Sequence, residues 1–200
     1  PPEVRMLKAT VRVFNANNGA GSGIIVYFRA LTSSAKSAKQ VFVLTNYHIV
    51  SRNIREQKVA IGAYGSFVRW TAKPVVVQVF QYSETGVVSV RTQYSGTQEV
   101  RSQNWFTRLA TVLAYDKKND LALLAFTETL PTHQYEAAPF SKRPTRILEE
   151  VIAMGAGEGL APFPTRGYVA AMGESVSVWA DLTLIMHTAP IVGGNSGGGL

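Results

Sequence analysis

Short apolar runs broken by turn residues dominate the chain, and no long stretch sustains a 3.6-residue apolar period. Strands are therefore expected rather than helices. Val11-Arg12-Val13-Phe14 leads into a turn-rich stretch from Asn15 to Gly21. Ser22 to Phe28 and Val41 to Thr45 follow, separated by a polar Ser/Lys/Ala loop over 31–39. Val75 to Phe80 and Val87 to Val90 read as two strands of a hairpin closed by Ser83-Glu84-Thr85-Gly86. Arg108 to Tyr115 and Leu121 to Phe126 bring the first half to about six strands or more. Residues 127–147 hold turn residues and weak periodicity and read as a linker. Strands resume at Val151 to Met154, Arg166 to Met172 and Ser177 to Thr188. This spacing predicts an all-β sandwich or barrel, most simply two consecutive units over 1–126 and 148–200 joined by 127–147.

Composition narrows the class. The chain has 200 residues, 46% of them hydrophobic and 16% charged, which excludes disorder. Its 17 glycines and 9 prolines follow no three-residue period, so a collagen-like chain is excluded as well. Every apolar run is interrupted before it reaches the roughly 18 residues of a membrane span. Zero cysteines exclude a disulfide scaffold, a thiol nucleophile and a thiolate metal site, and leave the compartment open. The chain opens Pro1-Pro2-Glu3 and so reads as a processed product or an excised segment, with any signal peptide absent or already removed.

Charge is uneven. Residues 1–108 carry 14 Lys/Arg against 4 Asp/Glu, and residues 109–200 carry 6 against 9. A positive face could attract nucleic acid, and Arg69-Trp70 and Trp105-Phe106-Thr107-Arg108 offer stacking rings. With no nucleic-acid motif to anchor that reading, decoration of exposed strand faces is the plainer one, and a nucleic-acid partner is not expected.

The sharpest local signal is Gly193-Gly194-Asn195-Ser196-Gly197-Gly198. Small neighbours let a substrate approach the Ser196 hydroxyl and let the backbone aim successive N–H groups at one point, as an oxyanion site requires. On its own such a stretch is an ordinary flexible turn. A serine nucleophile needs a base, and three histidines are available: His48, His133 and His187. His48 stands where the run from Val43 gives way to a turn, His133 falls in the linker, and His187, nine positions before Ser196, fits the core or a specificity pocket, with the core preferred. The base needs a carboxylate to fix its tautomer. Of Asp116, Asp120 and Asp181, only Asp120 directly precedes a buried-looking strand, Leu121 to Ala125.

His48, Asp120 and Ser196 occur in the chain order of the chymotrypsin type. With Leu44-Thr45-Asn46-Tyr47-His48-Ile49-Val50, Asp116-Lys117-Lys118-Asn119-Asp120-Leu121-Ala122-Leu123-Leu124, Glu150 to Gly155 and Arg166-Gly167-Tyr168-Val169, the sequence resembles a chymotrypsin-fold (trypsin-like) serine protease. It is most similar to the cysteine-free, HtrA-like branch, over nearly the whole chain except 64–110. The resemblance implies two Greek-key six-stranded β-barrels with the site in the cleft between them. It makes Ser196 the nucleophile, His48 the base and then acid, and Asp120 the orienting carboxylate, with Gly194 and Ser196 N–H groups as the oxyanion hole. No cofactor or metal is implied, and the partner is a protein or peptide substrate. Asn195 stands where digestive proteases carry an aspartate that pairs with a freshly cut N-terminus, so activation of that kind is not expected.

The family continues well past its serine, whereas Leu200 comes four residues after Ser196. The second barrel is therefore expected to be incomplete, with exposed strand edges, and a C-terminal segment or a second chain would complete it. Weak activity of the 200-residue piece alone is the corresponding expectation. Pro190, Ile191 and Gly193 are the candidate pocket residues. By the resemblance, Pro190 stands where the family forms its pocket base and provides no carboxylate, which favours a small or apolar side chain at the cleaved residue. Residues 64–110, with Arg69, Arg91, Arg101 and Arg108, read as an enlarged hairpin region and a docking surface. The competing function is a non-catalytic binding or structural module that keeps the protease fold within a larger assembly.

Overall fold

The computed structural model describes residues 2–17, 19–31, 38–61, 65–82, 90–95, 98–103, 105–129, 136–174 and 184–200. A short helix α1 (Pro2–Ala9) opens the chain, with proline at its first position, Glu3 in its first turn and Lys8 in its last. Strands β1 (Thr10–Phe14), β2 (Ala20–Ala30) and β3 (Lys39–Thr45) follow, then the one-turn helix α2 (Tyr47–Val50). Next come β4 (Ile54–Ala60), β5 (Ser66–Ala72), β6 (Val75–Phe80), β7 (Val90–Ser95), β8 (Gln98–Gln103), β9 (Trp105–Asp116) and β10 (Leu121–Glu128). The last strands are β11 (Glu150–Gly155), β12 (Phe163–Glu174) and β13 (Leu184–His187).

Six strands close a barrel in the order β1-β2-β3-β10-β9-β6, every neighbouring pair antiparallel. Period-2 alternation fills it. Val11 and Val13, Val41 and Val43, Val75, Val77 and Val79, Leu124 and Phe126 all point inward and are buried. Burying each such side chain is worth roughly 1.5–3 kcal/mol. Register shifts at Ile25/Tyr27 and Leu123/Leu124 bend two of the strands as closure requires. On β9, Arg108 makes a two-pronged ion pair with Glu128, Nε to Oε2 at 2.9 Å and Nη2 to Oε1 at 3.0 Å. Glu128 is 1% exposed, so the pair belongs to the barrel's structure rather than to a free docking surface.

The strand Val75–Phe80 has no free edge for the expected hairpin. A strand has two hydrogen-bonding edges, and those of β6 are taken by β1 and β9. Residues 83–89, the expected turn and most of the expected second strand, lie outside the described residues, and β7, which starts at Val90, pairs with β8. The hairpin β4–β5, from Ile54 to Ala72, is an element that the apolar pattern did not announce, because most of its positions are exposed. Within the segment read as a linker, Ala138 N–H donates to Ile25 C=O at 2.8 Å and Glu136 pairs with Arg5 at 2.8 Å, fastening it along the barrel.

Strands β11, β12 and β13 form a separate three-stranded antiparallel sheet with β12 in the middle. A single bridge, Met154 with Gly199, touches the outer edge of β11. Phe80 of β6 and Met154 of β11 share a small apolar cluster with Leu7 and Tyr82, which seats this sheet against the barrel and α1. Among the described residues, no helix is long and apolar enough to cross a membrane.

Candidate active site

Strand β3 ends at Thr45, and Asn46 leads into α2. Ile49 and Val50 are buried and anchor that single turn, so His48 on its other side is left half exposed. Asp120 closes the tight turn between β9 and β10 with a left-handed backbone, φ 51°, a conformation that aspartate tolerates better than most residues. From there it reaches His48 twice. Its Oδ2 lies 2.7 Å from His48 Nδ1, and its Oδ1 accepts the His48 backbone N–H at 2.8 Å. Its carbonyl accepts Tyr47 N–H at 3.0 Å and Asn46 Nδ2–H at 2.8 Å. A carboxylate only accepts, so Nδ1 carries the ring proton and Nε2 is left as the basic nitrogen.

Ser196 is exposed on the loop between β13 and the chain end. Its carbonyl accepts Ser22 N–H at 2.7 Å. The next residue, Gly197, has φ +83°. A Cβ there would lie 2.2 Å from Ser22 O, 2.5 Å from Thr45 Oγ1 and 3.1 Å from Asn46 N. Only glycine allows this approach, and it brings the serine loop against the residues that precede His48. Among the described residues, no hydrogen bond joins Ser196 Oγ to the His48 ring, and neither Gly194 N–H nor Ser196 N–H has an acceptor.

A cavity of about 270 Å³ opens beside Ser196, walled by Met154, His187, Ile191, Val192 and Asn195 among others. Of the three pocket candidates, Ile191 lines it, while Pro190 and Gly193 do not. His187, assigned to the core from sequence, is half-buried on the cavity wall, its Nδ1 buried with no partner among the described residues. The Asn195 side chain packs against Gly155 and Gly157, and its Oδ1 is buried with no hydrogen-bond partner among the described residues. His133 and Asp181 lie outside the described residues. A larger cavity of about 580 Å³, between α1 and β11, is lined by neither His48 nor Ser196, and shares Leu200 with the cavity beside the serine.

Two polar residues escaped notice in the sequence. Ser22 is fully buried, and Arg12 is 7% exposed; both reach the serine loop or the turn beneath it. Burial pulls the Arg12 guanidinium down from its ordinary value and pushes the nearby Tyr82 phenol up. The only sequence cue was a serine between two glycines, Gly21-Ser22-Gly23, on a strand that approaches another backbone. The rings proposed for base stacking are engaged within the protein. Trp70 meets Tyr115 edge-on at 5.2 Å, and Trp105 meets Phe80 at 6.0 Å.

Residues 21–200 match the family model of the trypsin-like peptidase domain. A comparison with curated proteins finds no match. Among solved structures, a serine endoprotease from Yersinia pestis superposes with a TM-score of 0.58 at 20% identity, covering 98% of this chain and 50% of that one. The chain thus spans half the length of that protein. Deg5 superposes with the same TM-score of 0.58 at 19% identity, covering 98% of this chain and 75% of its own. At these identities the likeness speaks to a common all-β fold.

Proposed function

The chain belongs to the trypsin-like peptidase family, and we propose that it is a serine endopeptidase that cleaves protein substrates through an acyl-enzyme on Ser196. The observation that carries this reading is the double hold of Asp120 on His48, through ring and backbone, at 2.7 and 2.8 Å. A structural ion pair has no need to fix one imidazole tautomer with its Nε2 left bare; a general base does.

In the proposed reaction, Ser196 Oγ attacks the scissile carbonyl carbon while its proton passes to His48 Nε2. Charge moves onto the carbonyl oxygen, where the unpaired N–H groups of Gly194 and Ser196 receive it. The tetrahedral species collapses, the C–N bond breaks, and the imidazolium returns its proton to the departing amine. Water then attacks the ester by the same route in reverse, freeing the acid and Ser196. Asp120 keeps its charge throughout and stabilises the imidazolium. The contact between Ser196 Oγ and Nε2 belongs to the substrate complex, since such bonds commonly tighten only there.

A second reading, a binding module that keeps the fold without turnover, is favoured by one observation: the Ser196 hydroxyl is not hydrogen-bonded to His48 among the described residues. Fluorophosphonate labelling separates the two. Covalent modification at Ser196, lost in Ser196→Ala and in His48→Ala, supports the peptidase. An unlabelled, folded wild-type protein supports the module.

A further inference from the structure

Arg12 and Ser22 are direct cross-strand partners on β1 and β2. Their neighbours Val11 and Val13 point into the barrel core, so Arg12 points out of it. An outward arginine on a strand ordinarily meets water. Here the turn after β11 and the serine loop cover the pair, leaving Arg12 7% and Ser22 0% exposed. Buried polar groups of this kind are retained where their hydrogen bonds fix something.

What they fix is backbone. Ser22 uses all of its polar groups at once. Its Oγ donates to Gly194 C=O at 2.7 Å and accepts Ala156 N–H at 2.8 Å. Its N–H donates to Ser196 C=O at 2.7 Å, and its C=O accepts the Thr45 hydroxyl at 2.6 Å. Arg12 Nη2 donates to the carbonyls of both Gly159 and Leu160, and Nη1 donates to Gln78 Oε1 at 3.1 Å. The guanidinium lies over the Phe80 ring, 5.1 Å from its centroid. Directly before those two carbonyls, Glu158 holds a left-handed backbone, φ 52°, and donates its N–H to Gly193 C=O at 2.8 Å.

In a trans peptide the carbonyl and the N–H point opposite ways, so gripping one aims the other. The Gly193–Gly194 carbonyl is held by Glu158, which turns Gly194 N–H to the opposite side. The Gly194–Asn195 plane is held at both ends, by Ser22 Oγ and by the bond from Asn195 N–H to Val192 C=O at 3.2 Å. Between these planes Gly194 itself has φ +95°, so without such grips the loop has little to stop a peptide from flipping.

We propose that Arg12 and Ser22 are positioning residues that lock the peptide planes around Gly194 so that the Gly194 and Ser196 N–H groups converge on the substrate oxyanion. Neither side chain touches substrate. Ser22 acts on the serine loop directly, and Arg12 acts through the Gly157–Gly159 turn. The catalytic half of this inference rests on the reading of Ser196 as nucleophile; the structural half does not.

The test uses the full chain and two readouts. In wild type, the ¹⁵N resonances of Gly194 and Ser196 are single and sharp; in Ser22→Ala and in Arg12→Met, Gly194 broadens through microsecond–millisecond exchange. With a peptide substrate, Ser22→Ala lowers kcat by about 10–100-fold, less than the roughly 10²–10³-fold that one wholly lost oxyanion donor costs, while KM changes less than about twofold. Arg12→Lys keeps the charge but not the fork across two carbonyls and restores little. Val75→Ala, a barrel-core control of comparable thermal destabilisation, keeps wild-type kcat. Unchanged loop resonances in both variants, or a kcat loss that Val75→Ala reproduces, overturns the proposal. Should Ser22→Ala not fold, Arg12→Met decides by the same readouts. If wild type neither hydrolyses peptides nor reacts with fluorophosphonate, the peptidase reading fails, and the resonances still decide whether the pair holds the loop.

Discussion

Asp120 grips His48 at two points, the ring through Oδ2 and the backbone N–H through Oδ1. This arrangement dictates what an isosteric change does. In Asp120→Asn, the backbone N–H still requires an acceptor, so the amide oxygen takes that place and the NH₂ faces Nδ1. Nδ1 must then accept, and the ring proton moves to Nε2, where it blocks the base. kcat is expected to fall about 10⁴-fold with little change in thermal midpoint. A steady-state comparison with wild type checks it; a loss below about tenfold would show that the carboxylate does not set the tautomer.

Gly197 is the close-packed point between the serine loop and the start of α2. Gly197→Ala sets a Cβ 2.2 Å from the Ser22 carbonyl oxygen and 2.5 Å from Thr45 Oγ1, at φ +83°. The left-handed backbone alone costs about 1–2 kcal/mol for an alanine, and the clash adds to it. Thermal unfolding is expected to drop by at least about 2–4 °C per kcal/mol lost, and fluorophosphonate labelling of Ser196 to slow by tenfold or more. An alanine variant that unfolds and labels like wild type contradicts this packing.

The strands with strict alternation were legible from sequence: Val75 to Phe80 and Val41 to Thr45 bury every second side chain, as their pattern demands. The pairing of His48 with Asp120 was legible because each occupies a run whose residue types suit a turn at a strand end. Which strand pairs with which was not. β6 meets β9 across a long insertion, and closure of a barrel is a non-local event that no short window records. Arg12, Ser22 and Arg108 were misread or missed for the same reason: on a strand their neighbours suggest solvent, and only the docking of distant backbone buries the first two, while the distant Glu128 engages Arg108. α1 is too short, at eight residues, to display a helical period against its background.

The pair of Arg108 and Glu128 gives a stability prediction with an internal control. Arg108→Met removes both prongs from a carboxylate that is 1% exposed. Breaking a buried pair on one side costs about 3–5 kcal/mol, while replacing both partners by apolar residues is often close to neutral. Urea unfolding should therefore show a large loss for Arg108→Met, and most of it recovered in Arg108→Met with Glu128→Leu, at unchanged m. Equal stability of wild type and Arg108→Met would mean that Glu128 is as well solvated in the barrel as in the unfolded chain.

Glu56 on β4 ties the exposed hairpin to the turn that carries Asp120, accepting Lys117 Nζ at 2.5 Å and the Tyr115 hydroxyl. The Lys117 hydrogen bond, and then that of Tyr115, holds the Glu56 carboxyl below its ordinary value of 4.5. A depressed carboxyl pKa in the folded state stabilises above the unfolded value and loses that contribution as pH falls through the folded one. On the alkaline side, burial first and Glu56 second push the Tyr115 phenol from 10.0 up to about 12. The unfolded chain then ionises its tyrosine first, so stability declines as pH rises from about 10 to 12. Thermal midpoints across pH 3–11 should show wild type above Glu56→Gln near neutrality, with the gap closing below about pH 4.5. Because the pair is exposed, added salt should also narrow that gap. Parallel pH curves for the two proteins would show that Glu56 titrates alike in the folded and unfolded chain and does not fasten the hairpin to the turn.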